Sequence, residues 1–123
     1  MGKFKELKVW VKAKDLAIEV YRMTATDKFD RDFGLRDQMR RATVSISSNI
    51  AEGDELDTDR QSIRHFYIAK GSAAEVLTQA IIACEIGYID PRQFVKIETE
   101  CAAIAGMLTR LIQARRKEDG HAP

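Results

Sequence analysis

The chain has 123 residues, 45% of them hydrophobic and 32% charged, with two prolines and seven glycines. That composition suits one helix-rich globular domain over 1–123 and excludes a second sizeable core, a fibrous repeat and a disordered polypeptide. Twenty Lys and Arg stand against nineteen Asp and Glu, a formal net charge of +1, so a polyanionic partner would have to be met by a local patch.

The first apolar stripe, Leu7, Trp10, Ala13, Leu16, Ala17, Val20 and Tyr21, steps by threes and fours and predicts an amphipathic helix over about 5–24. The stretch TDKFDRDFG reads as a turn. A second stripe, Leu35, Met39, Ala42, Ile46 and Ile50, predicts a helix over about 32–52, with Gly53 as its terminator. Thr58 or Asp59 can cap a third helix, about 59–87, carrying Ile63, Phe66, Tyr67, Ala73, Ala74, Leu77, Ala80, Ile81 and Cys84 and stopping near Gly87. Asp90 and Pro91 read as N-cap and first residue of a fourth, about 91–116, where Phe94, Ile97, Cys101, Ile104, Leu108 and Leu111 alternate steps of three and four. The closing residues, 117–123, read as a frayed tail. Four stripes that must cover one another give an all-α fold, an antiparallel up-down four-helix bundle.

No apolar run reaches the roughly 18–20 residues of a membrane span, and the opening MGKFKELKVW has no apolar signal core. The expectation is a cytoplasmic protein with no membrane partner. The third and fourth helices lack surface residues: Glu75 is the only charge between Lys70 and Glu85, and there is none between Glu100 and Arg110. A helix with one exposed face should carry more, so these two either form the centre of the monomer or meet other copies in a ring-like homo-oligomer; self-association is the favoured expectation. Gly71 and Gly106 sit inside them at a cost of about 1 kcal/mol each relative to alanine, which close helix packing would offset.

The second helix carries a polar row, Gln38, Arg41, Ser45, Ser48, Asn49 and Glu52, beside its apolar stripe. Serine and asparagine are mediocre helix formers, so this seam should be hydrogen-bonded, to a neighbouring helix, another subunit or a ligand. Arg36, Arg40 and Arg41 with Arg64 and Lys70, and the lysines Lys3, Lys5, Lys8, Lys12 and Lys14, are local basic clusters that could hold the phosphates of RNA or DNA. Their alternative reading is an ordinary charged surface. No Glu-x-x-His pair, Gly-x-Ser-x-Gly elbow or phosphate loop occurs, so neither catalysis, nor a metal, nor a cofactor is expected. His65 reads as a surface or capping residue and Cys84 and Cys101 as small hydrophobes, too far apart along their helices for a disulfide.

The segment FGLRDQMRRATVSISSNIAEG, with LKVWVKAKDLAIEVYRMT before it and FYIAKGSAAEVLTQAIIACEIGYI after it, resembles the four-helix proteins encoded by intervening sequences in bacterial 23S ribosomal RNA genes. The likeness runs over about 4–112 and is most specific at Val9-Trp10 with Ala13, over 38–41, at Ser45-Ile46, over 49–53 and over 69–72. The matching positions are Gln38, Arg40, Arg41, Ser45, Asn49, Glu52 and Gly71. The resemblance implies an up-down bundle forming a barrel-shaped homopentamer, and a related accessory protein of diversity-generating retroelements binds nucleic acid and a reverse transcriptase. Two positions depart from the pattern: Ser47 stands where a proline or another small residue is common, and the acidic GDELD replaces a connection that is commonly basic or glycine-rich. A basic rim is weakened by the second departure. The expected function is therefore a non-enzymatic homo-oligomer binding RNA or DNA weakly, or alternatively an adaptor whose polar seam receives a protein partner.

Overall fold

Short polar side chains cap three of the four long helices. In the computed structural model, which describes residues 3–56 and 58–118, a 3-10 turn at Phe4–Glu6 precedes α1 (Lys8–Met23), α2 (Asp27–Arg31), α3 (Phe33–Glu55), α4 (Asp59–Glu85) and α5 (Pro91–Glu118). The Asp32 carboxylate accepts from the Leu35 amide at 3.1 Å, and the Thr58 hydroxyl accepts from Gln61 at 3.3 Å. Before α5 the capping is reciprocal: Asp90 accepts from the Gln93 amide at 2.8 Å, and the Gln93 side chain accepts from the Asp90 amide at 2.9 Å. At the far end of α4, Gly87 adopts φ +83°, which lets Tyr88 donate to the Ala83 carbonyl and Gly87 to that of Cys84. This αL ending turns the chain sharply into α5.

The helices pack α1 on α3, α3 on α4 and α4 on α5, with a thinner seam between α5 and α1. All described elements are helical. Phe29, Met39, Ile46, Ile50, Phe66, Val76, Ile97, Ile104 and Leu108 fill the centre with essentially no exposure. Helices α3 and α4 run antiparallel, from Ser45 opposite Ser72 to Gly53 opposite Ser62.

The segment expected as a turn contains α2, because Phe29 is buried and its ring packs on Tyr88 at 5.1 Å. One buried aromatic anchors a helix too short to show a period. Gly53 does not end its helix, which continues to Glu55. A Cβ on Gly53 would stand 2.6 Å from the Phe66 ring, and the Ser62 hydroxyl donates to the Gly53 carbonyl at 2.6 Å. The glycine is there for a close approach of α4, and hydrogen bonding to Ser62 satisfies its carbonyl. The close packing expected at Gly71 and Gly106 is not made within the chain: a Cβ on Gly71 would enter open space, and one on Gly106 would meet only the Arg110 guanidinium at 3.7 Å. Both glycines lie on outward parts of their helices. Of the expected tail, Lys117 and Glu118 belong to α5, while 119–123 lie outside the described residues.

Gly53→Ala should destabilise the fold by about 1–3 kcal/mol, the usual cost of overpacking a filled core, seen as a lower urea midpoint with an unchanged slope.

Candidate nucleic-acid interface

The polar seam of α3 faces α4, and its side chains bond to one another across the helix pair. The Ser72 and Ser45 hydroxyls meet at 2.9 Å. Asn49 donates through Nδ2 to the Ser45 carbonyl at 2.9 Å and its hydroxyl at 3.0 Å, which turns the amide oxygen toward His65 Nδ1 at 2.9 Å. The Glu52 carboxylate lies 3.3 Å from the same nitrogen. Both neighbours of Nδ1 are acceptors, so Nδ1 carries the proton. His65 thus has a carboxylate partner that its sequence neighbourhood does not reveal, because Glu52 comes from another helix. Gln38 and Ser48, expected in the same seam, are exposed at its flanks, and their side chains join no hydrogen bond among the described residues.

The five basic residues singled out in the sequence do not form one patch. Arg36 is held by Asp30 at 3.1 Å and Asp37 at 2.9 Å and lies over the Phe33 ring; the hydrogen bond to Asp37 raises its pKa above the ordinary arginine value. Arg40 donates to the Thr24 hydroxyl at 2.8 Å and the Tyr21 carbonyl at 3.4 Å, with its guanidinium over the Tyr21 ring. These two brace the α1–α2–α3 corner, where their charge meets carboxylates and the carbonyl end of α1. Arg41 is exposed on the outer side of α3, away from both.

Arg64 and Lys70 belong to a different gathering, at the start of α4 and the end of α5. Lys70 donates to the Thr109 hydroxyl at 2.9 Å, and Arg116 donates to the Tyr67 hydroxyl at 2.6 Å. This antiparallel register sets Arg60 and Arg64 beside the last turns of α5, with Arg116 and Lys117, while Arg110 lies further back near the level of Lys70. Among the described residues none of these cations has a carboxylate within ion-pairing distance. Beneath them Arg115 bridges Asp54 at 3.1 Å and Asp59 at 3.6 Å, over the Phe66 ring. The acidic connection GDELD is thereby partly consumed in fastening α5. Sequence reasoning misses Arg60, Arg110, Arg116 and Lys117 because their grouping depends on the antiparallel return of α5 along α4, and Lys117 falls in the segment expected to fray.

The model of the family described as 23S rRNA-intervening sequence protein matches residues 5–110. The chain belongs to that family. A crystal structure of a protein with unknown function from the S23 ribosomal protein family of Bacteroides thetaiotaomicron VPI-5482 has a similar fold, with a TM-score of 0.78 and 22% identity over 85% of this chain and 97% of that one. No curated protein matches. In this chain Asn49 and Glu52 both bond to His65 on α4. No described group of three or more His, Cys, Asp or Glu side chains could hold a metal, and no described helix is long and apolar enough to cross a membrane.

Both cysteines are free; Cys101 is buried and its thiol is pushed up to about 12, chiefly by that burial, whereas Cys84 is half-exposed. At about pH 8 a thiol reagent should therefore label Cys84 in the folded chain and reach Cys101 only after denaturation. Asn49→Leu should cost about 1–3 kcal/mol by orphaning its partners, while Gln38→Ala and Ser48→Ala should each stay within about 0.5 kcal/mol. Denaturant titration of the three variants measures the contrast.

Proposed function

We propose that this protein is a non-catalytic cytoplasmic scaffold that associates with copies of itself and holds RNA or DNA by electrostatic contacts. The observation that carries this reading is the outward face of α4, which changes character along its length. Its first turns present Arg60 and Arg64; from Ile68 onward it presents Ile68, Gly71, Ala74, Thr78, Ile81 and Ile82, then Ile86 at the C-cap, interrupted by the exposed charges Glu75 and Glu85, with Ile68, Ile81, Ile82 and Ile86 exposed by 43, 41, 46 and 52%.

An apolar face of this extent favours burial against another surface. Gly71, open to solvent in the single chain, would let a neighbouring backbone approach closely there, and the shallow groove formed by Ala74, Leu77, Cys101, Ala102 and Ala105 continues the surface toward α5. A second copy supplies the covering. The family resemblance implies five copies in a ring, and repetition of a weak cationic patch around a ring would raise its avidity. The adaptor reading has less support, because the seam offered to a partner helix is already occupied by bonds among Ser45, Ser72, Asn49, His65 and Glu52.

Light scattering on the purified protein should give a multiple of the chain mass, and Ile82→Glu should reduce it; a wild-type monomer at high concentration would overturn self-association. Anisotropy titrations between about 50 and 200 mM salt should show affinity falling steeply, and Arg60→Gln with Arg64→Gln should lower the slope by about 0.7–0.9 for each phosphate no longer neutralised. A slope unchanged in that double variant would remove the cationic end of α4 from the reading.

A further inference from the structure

We infer that the start of α4 and the end of α5 form a platform for unpaired rather than duplex polynucleotide, with Tyr67 as the side chain on which a base stacks. This rests on the polyanion reading above and adds to it the form of nucleic acid recognised.

A patch that only neutralises phosphates needs cations and nothing else. Here a tyrosine stands among them, 45% exposed, about one turn beyond Arg64 and two beyond Arg60 on the same helix. Arg116 donates to its hydroxyl at 2.6 Å and its guanidinium lies 5.6 Å from the ring centroid. The bond satisfies the hydroxyl and holds the ring in one orientation, so less freedom is lost when a base is laid against it.

Two other exposed aromatics lie beside an arginine, and Tyr67 differs from both in what its arginine is free to do. Phe33 is paired with Arg36, which Asp30 and Asp37 already hold. Tyr21 is paired with Arg40, which is spent on Thr24 and the Tyr21 carbonyl. At Tyr67 the guanidinium is bonded to the phenol alone among the described residues, and Arg60, Arg64 and Lys117, on the same stretches of α4 and α5, pair with no described carboxylate. Exposed aromatic surface set in a cationic track is the means by which proteins hold single strands: phosphates follow the cations while bases turn onto the rings. A duplex keeps its base faces stacked inside and can use only the cations.

The test is anisotropy with labelled oligo-U and oligo-dT of about 12 nucleotides, within the usual single-strand site size, against a duplex of the same length at about 100 mM salt. Wild type should bind both single strands about tenfold or more tightly than the duplex. Tyr67→Leu, which keeps apolar bulk but removes the π-face, should weaken single-strand binding about tenfold while leaving duplex affinity, salt slope and native mass unchanged; Tyr67→Phe, which keeps the π-face and loses only the bond to Arg116, should retain most of the single-strand binding. Equal losses for single strand and duplex, or no loss for either, would overturn the stacking role even if the Arg60 and Arg64 substitutions still weaken binding. If wild type binds none of the three probes, the polyanion reading fails together with this one. A preference for oligo-U over oligo-dT that Tyr67→Leu preserves would place the RNA-specific contact elsewhere, while a fall in both affinities supports the shared stacking platform.

Discussion

Where Gly53 lies against the Phe66 ring, α3 and α4 come together closely enough for Ser62 to bond the glycine's own carbonyl, and this contact sets the register of everything along that pair. With the register fixed, Asn49 falls opposite His65 and Ser45 opposite Ser72. A shift of one residue would turn these polar groups by about 100° around the helix and leave them unpaired near the core. The seam consequently specifies alignment as well as adding stability, since each buried polar atom accepts only a narrow set of partners. The remaining helices then build outward from this pair, α1 on α3 and α5 on α4.

The four long helices are legible in the sequence because each buries a stripe with a 3.6-residue period, and because Thr58, Asp90 and Gly87 are the residue types that begin and end helices. What escapes is tertiary in origin. Helix α2 depends on one anchored aromatic, Phe29, rather than on a period. The continuation of α3 past Gly53 depends on Phe66, which lies on the next helix, and nothing local to the glycine distinguishes a close contact from a helix stop. Gly71 and Gly106 show the converse: the same residue type makes no close contact within the chain, so close packing there needs a second surface.

The candidate site is partly legible for the same reason. The polar seam is a periodic feature of one helix, so its existence can be read, together with the expectation that something bonds to it; its partner, His65, cannot. For the basic residues the sequence supplies the cations but not their counter-charges. Arg36 and Arg40 are neighbours of Arg41 in sequence, yet both are spent on the corner they brace, whereas the start of α4, with Arg64, acquires Arg116 and Lys117 through the antiparallel return of α5, and Lys70 meets Thr109 further along. Charge clusters in a helical protein are a property of the assembled surface, and a run along one helix identifies them only when that helix carries the whole cluster.

The thin seam between α5 and α1 gives the molecule a weakest edge. Across it lie two ion pairs, Lys12 with Glu100 at 3.1 Å and Lys96 with Glu19 at 3.4 Å, all of whose side chains reach solvent. Solvent-reaching pairs of this kind contribute little and are screened further as salt rises. Helix α1 is consequently held mainly through α3, and a cleft beside which the buried Leu16 and Ile97 lie runs along its α5 side. In amide-exchange terms the α1–α5 edge is where local opening should cost least, with α1 still held by its packing on α3.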